Sequence, residues 1–217
     1  MKNFYMIAAI VAVCGSAYAD NSTLTIEQAG NGNMAAPTQQ GNNESIAINQ
    51  VGDNFQFTAS QSGSANSLTA SQSGARSIAS VTQAGTGNMA MTTQNGTEHV
   101  VYINQNGTNN NVTELEYGDQ ESSRITQTGS GNSFTTKQGI AGSSFDKSSA
   151  GNDIVASQSG TGNMGAITEI GTQNRINTTH SGTKNSLSVS QVGNFSHVTI
   201  GQSGTGNSVV ASQATAR

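Results

Sequence analysis

Side-chain amides are the chemical groups that this sequence places at regular spacing. The string QSGTGN occurs at residues 158–163 and again at 202–207, and close relatives of it recur along the chain. An amide both donates and accepts hydrogen bonds, so identical amides stacked on one another can form a continuous ladder. The pattern therefore predicts structural hydrogen bonding rather than acid–base or nucleophilic chemistry.

Residues capable of catalysis or metal binding show no comparable order. His99, His180 and His197 have no metal-ligand spacing, and the first two occupy polar positions of the repeat. No paired carboxylates, Ser/His/Asp set or phosphate-binding loop stands out. The aspartates do not follow the nonapeptide of calcium-binding β-rolls. We expect no cofactor, no metal and no enzymatic activity.

Glutamine recurs every eleven residues from Gln28 to Gln138, with Glu116 as the one exception, and the period resumes from Lys147 to Gln213 after a slip of two residues. An eleven-residue period that persists along the chain identifies a repeat protein. The predicted ladder residues are Gln28, Gln50, Gln61, Gln72, Gln83, Gln94, Gln105, Gln127, Gln158, Gln191, Gln202, Gln213, Asn66, Asn88, Asn110, Asn132, Asn163, Asn185 and Asn207. The predicted turn glycines are Gly30, Gly52, Gly63, Gly74, Gly85, Gly96, Gly107, Gly129, Gly160, Gly193 and Gly204.

The seven residues that end on each glutamine alternate in polarity, as in NSLTASQ at 66–72. Period two predicts a strand with one buried face, here an Asn or Ser, two apolar residues and the Gln. Glycine lies between strands because tight turns need a positive φ. Each eleven-residue unit is thus a strand and a turn, and two units form a coil of about 22 residues. We predict an all-β, amyloid-like β-solenoid of coils stacked in parallel, in-register ladders.

The repeat array divides into two parts where the eleven-residue period shifts by two residues. Residues 20–138 form the first phase, 139–151 a phase slip or irregular coil, and 152–217 the second phase. The slip region is either a short strand over 143–147 or a bulged loop. Ser143 is expected to follow Ser77, His99 and Glu121 at the alternate strand starts. Charges concentrate in the middle of the array, either as gatekeepers against premature aggregation or as drift. Glu114 and Glu116 are expected to point inward.

Residues 1–19 have the features of a secretory signal peptide. Lys2 precedes a short apolar run over 4–13, and Ala17-Tyr18-Ala19 fits the small-x-small cleavage pattern, so cleavage is expected after Ala19. A lipoprotein signal that uses Cys14 is the rival interpretation. The net charge of −4 is dispersed, which argues against nucleic acid as a partner. No later segment is apolar enough to span a membrane.

The repeat resembles that of the curlins, the subunits of bacterial curli fibres, whose units follow Ser-x5-Gln-x-Gly-x-x-Asn-x5-Gln. Ser77, Gln83, Gly85, Asn88 and Gln94 fit this pattern, and the resemblance extends over residues 22–213. It implies a secreted subunit, most like a major curlin. Such a subunit leaves the cell through outer-membrane export machinery and joins a nucleator subunit in extracellular amyloid fibres for adhesion and biofilm matrix. The array is longer than the usual five coils, and no Gly-rich export segment precedes it.

Two other functions remain open. One is the minor nucleator subunit, and the other is a monomeric secreted solenoid whose Ser/Thr face binds ice or a polysaccharide. The outward rows are mixed, with Thr23 and Thr25 in one strand but Met89 and Met91 in another. No cap is evident at either end of the array, so we expect a homopolymer assembled end to end. Pro37 in an early strand is expected to weaken association at the N-terminal end.

Overall fold

The structure is a computed structural model that describes residues 21–139 and 150–214. Its regular elements are all β-strands, and the predicted signal peptide lies outside the described residues. The strands are β1 (Thr23–Ala29), β2 (Met34–Asn42), β3 (Ser45–Asp53), β4 (Gln56–Ser64), β5 (Ser67–Ala75), β6 (Ile78–Thr86), β7 (Met89–Thr97), β8 (Val100–Thr108), β9 (Asn111–Asp119), β10 (Ser122–Ser130), β11 (Ser133–Gln138), β12 (Asp153–Thr161), β13 (Met164–Ile170), β14 (Arg175–Thr183), β15 (Ser186–Val192), β16 (His197–Thr205) and β17 (Ser208–Ala214).

The strands form two facing parallel sheets. Odd-numbered strands make a nine-stranded sheet in chain order, and even-numbered strands make an eight-stranded sheet. Within each sheet equivalent positions of the repeat lie directly over one another, as with Gln83 over Gln61 and under Gln105. One turn of the chain therefore passes once through each sheet. The predicted β-solenoid of parallel, in-register coils is confirmed.

Alternation within each strand produces a thin core between the two sheets. In β5, Leu68, Ala70 and Gln72 are buried while Ser67 and Thr69 face outward. A single coil buries too little apolar surface to be stable alone, so stability must come from stacking many coils. The apolar columns of neighbouring coils pack into one continuous cluster over the length of the array.

Two phenylalanines in the core columns lie next to small residues. Phe57 lies between Ala35 and Ala79, and Phe134 lies next to Gly165. A Cβ at Gly165 would come within 2.2 Å of the Phe134 ring, so the glycine provides the space that the ring fills. Such size compensation maintains the dense packing that protein interiors require.

One coil is longer than the others. Gln127 hydrogen-bonds to Gln158, 31 residues later, whereas the other glutamine pairs of that sheet are separated by 22. The register places Asn152 over Glu121, the position that sequence spacing assigns to Ser143. Ser143 and Lys147 lie outside the described residues. The nine additional residues fall between β11 and β12, and the strands on both sides keep their register.

Candidate functional site

Stacked glutamines form the first component of the candidate site. In the eight-stranded sheet the Nε2 atom of each glutamine donates to the Oε1 atom of the glutamine in the next coil. The donor–acceptor distances lie between 2.7 and 3.2 Å from Gln39 through Gln61, Gln83, Gln105 and Gln127 to Gln158. In the nine-stranded sheet Gln28, Gln50, Gln72 and Gln94 are linked in the same direction at 2.6–2.7 Å. Both ladders therefore have a polarity along the solenoid axis.

The same amides also connect the two sheets. Nε2 of Gln83 donates to the carbonyl oxygen of Ser67 at 3.0 Å, and Nε2 of Gln105 donates to that of Met89 at 2.9 Å. Each acceptor is the first residue of the facing strand. The bond uses the second amide hydrogen, so a single buried side chain is satisfied on three sides. Period and composition contain no signal for these cross-sheet bonds.

The glutamine ladders do not continue through the whole array. Glu116 and Glu169 occupy glutamine positions in the nine-stranded sheet, and His180 occupies one in the other sheet. Beyond them, Gln191 and Gln202 are buried, yet neither amide atom of either residue has a hydrogen-bond partner. Gln213 is partly exposed on the last strand. These three predicted ladder residues are in register but are not joined into the ladder.

Asparagines form a second ladder at one corner of the solenoid. The Oδ1 atom of each accepts a hydrogen bond from the backbone N–H of the next, at 3.0–3.1 Å. The series contains Asn66, Asn88, Asn110, Asn132, Asn163, Asn185 and Asn207. Asn88 shows the full pattern, because its Nδ2 atom also donates to the carbonyls of Ala84 in its own turn and Gly107 in the next. The side chain thus ties each turn to the turn above it.

The opposite corner contains asparagines that sequence reasoning missed. Asn33 accepts a hydrogen bond from the N–H of Phe55 at 3.1 Å, and Asn152 accepts one from that of Asn174 at 3.0 Å. The signal available was the Gly-x-x-Asn spacing at Gly30–Asn33 and Gly171–Asn174. It was hidden because Ser, His, Phe or Glu takes most other positions of this corner.

The predicted turn glycines all have positive φ, between 107° and 144°. At Gly107 a Cβ would lie 1.9 Å from the carbonyl oxygen of Gly129 in the next coil. The glycine is therefore required both by backbone conformation and by close stacking of the turns. A second left-handed residue follows two positions later, for example Gly87, Asn109 or Gly131. That second position also accepts Ala65, which explains why its pattern is weak in the sequence.

Buried carboxyl groups interrupt the amide ladders in the middle of the array. Glu114 and Glu116 are fully buried on β9, as expected from the alternation. Burial raises the pKa of Glu114 to about 7, and this carboxyl accepts a hydrogen bond from Thr136. Burial, and secondarily the Glu114 carboxyl, raises the pKa of Glu116 well above its ordinary value. Glu169 is also buried, and burial raises its pKa to about 8.

His99 lies beside Glu116, with its Nδ1 atom 3.6 Å from Oε2 of the carboxyl. Burial lowers the pKa of His99 to about 4. Because burial disfavours both charged forms, the neutral imidazole and the protonated carboxyl are the favoured pair near neutral pH. The contact is therefore polar packing in the core rather than an ion pair.

Two further features are absent from the described part of the chain. Residues 21–139 and 150–214 contain no cluster of three or more His, Cys, Asp or Glu side chains that could hold a metal ion. The same residues contain no helix long and apolar enough to cross a bilayer. The feature that recurs from coil to coil is the set of backbone and side-chain amide groups that hydrogen-bond to the neighbouring coils.

The parallel solenoid, with its directional amide ladders and its glycine turns, places this chain in the class of structural repeat proteins. Residues 19–52 match the family model described as "Curlin associated repeat". This match supports the curlin family for the chain, in agreement with the pattern of its other repeats. No curated protein matched the chain. The repeat and the fold together suggest a curli-type structural, non-enzymatic subunit.

Proposed function

We propose that the protein is a secreted structural subunit that self-assembles into extracellular, curli-like amyloid fibres for adhesion and biofilm matrix. Residues 1–19 direct secretion and are removed after Ala19. Outer-membrane export machinery delivers the unfolded chain, and a nucleator subunit starts its assembly. The polymer itself consists of copies of this chain joined end to end.

The in-register repetition of the coils carries this proposal. Interior strands pair in register with a neighbour on each side, and Gln83 accepts a hydrogen bond from Gln61 in the coil before it and donates one to Gln105 in the coil after it. A coil is therefore a template for the next coil, whether that coil belongs to the same chain or to another. In the described residues the end strands β1, β2, β16 and β17 each pair with a neighbour on one side alone. An open parallel edge is a surface for strand addition.

Fibre growth from the purified protein tests the proposal. The protein is expressed from its full sequence, N-terminal sequencing locates the start of the secreted form, and the chain is diluted from denaturant. Thioflavin T fluorescence should rise sigmoidally, and seeds of the same fibre should remove the lag. Fibre diffraction should show reflections near 4.7 and 10 Å.

Unrelated amyloid seeds are the control, because only matching coils should template growth. Growth that occurs only after a nucleator or seed is added still supports a fibre subunit. A β-rich chain that stays monomeric in the presence of its own seeds would contradict the proposal. It would instead favour a solenoid that binds ice or a polysaccharide.

A further inference from the structure

The two ends of the solenoid are offset by half a coil. The described strands begin with β1 and finish with β17, and both belong to the nine-stranded sheet. At the C-terminal end β17 therefore extends one strand beyond β16, and at the N-terminal end β1 precedes β2. Each end is a step rather than a flat surface. How the two steps fit together decides how one copy can follow another.

We propose that a second copy docks on the C-terminal end after a half-turn about the solenoid axis, so that its β1 pairs with β16 and its β2 pairs with β17. The junction rests on the proposed self-assembly and specifies its geometry. Without the rotation, β1 of the incoming copy would lie on β17. The incoming β2 would then face β16 across one vacant strand position, about 4.8 Å wide. The half-turn fills that position and makes both sheets continuous.

Gln202 is a buried side chain at this end whose hydrogen bonding the junction would complete. Its side chain is 6% exposed, and neither amide atom has a partner within the described residues. The repeat register places Gln28 of the incoming copy directly over it. Nε2 of Gln28 already donates to Gln50 at 2.6 Å, which leaves its Oε1 atom on the open side. Gln202 can therefore donate to Gln28 in the direction that all the other linked glutamines use.

Asn207 also lacks a hydrogen bond that the equivalent asparagine inside the array makes. Asn185 donates to the carbonyl of Ser181 and also to that of Gly204 in the next coil, whereas Asn207 donates to Ser203 alone among the described residues. In the rotated junction the carbonyl of Gly30 takes the position of the next turn glycine. The backbone N–H of Asn33 then reaches Oδ1 of Asn207, as each asparagine N–H does inside the array.

Apolar residues at the two ends match as well. Val198 and Ile200 on β16 are only partly buried, and so is Ile26 on β1. The junction places Leu24 and Ile26 of the incoming copy over Val198 and Ile200, which continues the apolar columns and removes these surfaces from water. Pro37, which is buried in the edge strand β2, comes over Ala211, where its ring continues the apolar column although it has no N–H to donate.

Paired cysteines distinguish the two junctions. In the half-turn junction Ala36 of one copy lies beside Val210 of the other, and in the unrotated junction Thr25 lies beside Val210. All three side chains face outward. The variants A36C/V210C and T25C/V210C are made in the full chain with Cys14→Ser and grown into fibres. They are then treated with a short bifunctional thiol reagent, dissolved and separated by size.

We expect a series of covalent multimers from A36C/V210C, with at least tenfold less from T25C/V210C. The pair T25C/T199C reports the same half-turn junction through the other sheet, and it serves if A36C/V210C does not assemble. Stronger linking of T25C/V210C overturns the half-turn, and so do normal fibres in which no pair links. If the parent chain forms no fibres, the proposed function fails first and the junction fails with it.

Discussion

Buried glutamines in this protein differ in what their amides contact. Gln83 lies in the middle of a ladder and bonds to Gln61, Gln105 and the Ser67 carbonyl. Gln191 is equally buried, but neither of its amide atoms has a partner. A buried amide without a hydrogen bond is unfavourable, and an amide with all its bonds supports its neighbours too. The same residue type therefore has opposite effects on stability at two positions of the repeat.

Replacing these two glutamines by leucine should show that difference. Gln83→Leu leaves the neighbouring amides and a carbonyl unpaired and should lower the free energy of unfolding by about 1–3 kcal/mol. Gln191→Leu removes two unpaired polar atoms and should be neutral or stabilising. Urea unfolding of freshly diluted protein, followed by circular dichroism, measures both. Equal destabilisation by the two variants would contradict the role of the ladder.

Glu169 can be tested as an interruption of a ladder. Gln138 donates to its carboxyl at 3.2 Å, while Gln191 above it is unpaired. Glu169→Gln supplies both a donor and an acceptor and should raise the free energy of unfolding at pH 8.5 by roughly 2–3 kcal/mol, since the raised pKa no longer opposes folding. The exposed residue Glu27 provides the matched control, Glu27→Gln. A gain that is the same at pH 6 and pH 8.5 would show that the carboxyl charge is not the cause.

Within the secondary-structure elements, outward strand positions tolerate many residue types, whereas the corners between strands tolerate few. Outward strand positions accept serine, methionine or tyrosine because they face solvent. Each corner needs a glycine because the carbonyl oxygen of the glycine in the next turn lies directly against it, and it then needs a second left-handed residue. The second residue does not face the backbone of the next turn: nothing lies within 4 Å of a Cβ at Gly131, and at Gly87 the nearest atom is the side-chain Oδ1 of Asn109. Stacking of turns therefore restricts the first corner position far more than backbone conformation restricts the second.

Two glycine substitutions separate these effects. Gly107→Ala forces a Cβ to within 1.9 Å of the Gly129 carbonyl oxygen, so the turn must move away from the next coil. It should lower the free energy of unfolding by roughly 3 kcal/mol or more, because both overpacking and strain oppose it. Gly131→Asn is the matched control, because asparagine adopts this conformation at Asn109, and it should change stability by less than about 1 kcal/mol. Urea midpoints compare the two, and a mild Gly107→Ala would exclude close stacking as the constraint.

For the whole molecule, buried carboxyls make stability depend on pH. Burial raises the pKa of Glu114 to about 7 and that of Glu169 to about 8, and burial, followed by the Glu114 carboxyl, raises that of Glu116 well above its ordinary value. The folded chain thus holds protons that the unfolded chain releases near its ordinary carboxyl pKa. Their contribution is full below that ordinary value and is lost as pH rises through 7 and 8. The lowered pKa of His99 makes stability rise with pH, which is the opposite effect. This rise is complete at the ordinary histidine pKa of about 6.5, so His99 adds no slope at higher pH.

Between pH 6.5 and 8.5 the free energy of unfolding should therefore fall. The slope should approach about 1.4 kcal/mol per pH unit for each glutamate that stays protonated in the folded chain. Urea unfolding at several pH values measures it. A triple variant, Glu114→Gln with Glu116→Gln and Glu169→Gln, should have a nearly flat profile. An unchanged slope in the triple variant would assign the pH dependence to other groups.

The local sequence pattern was sufficient to predict the structure of one coil. Period two identified the buried face of each strand, and the eleven-residue spacing of glutamine and glycine identified one strand and one turn per unit. Since every coil repeats the same local instructions, the sequence by itself determined the parallel β-solenoid. Inward placement of Glu114 and Glu116 followed from the same alternation, although the pattern contained no reason for it.

Only the tertiary structure decided which groups meet. Asn152 follows Glu121 across a 31-residue coil because strand pairing, rather than spacing, sets the neighbour at an insertion. The bond from Gln83 to the Ser67 carbonyl depends on the distance between facing sheets, which one strand's pattern does not contain. Gln191 and Gln202 match the repeat as well as Gln83 does, yet they have no partners. Hydrogen bonding is short-ranged and directional, so it depends on the neighbour in space, whereas alternation depends only on the neighbour in the chain.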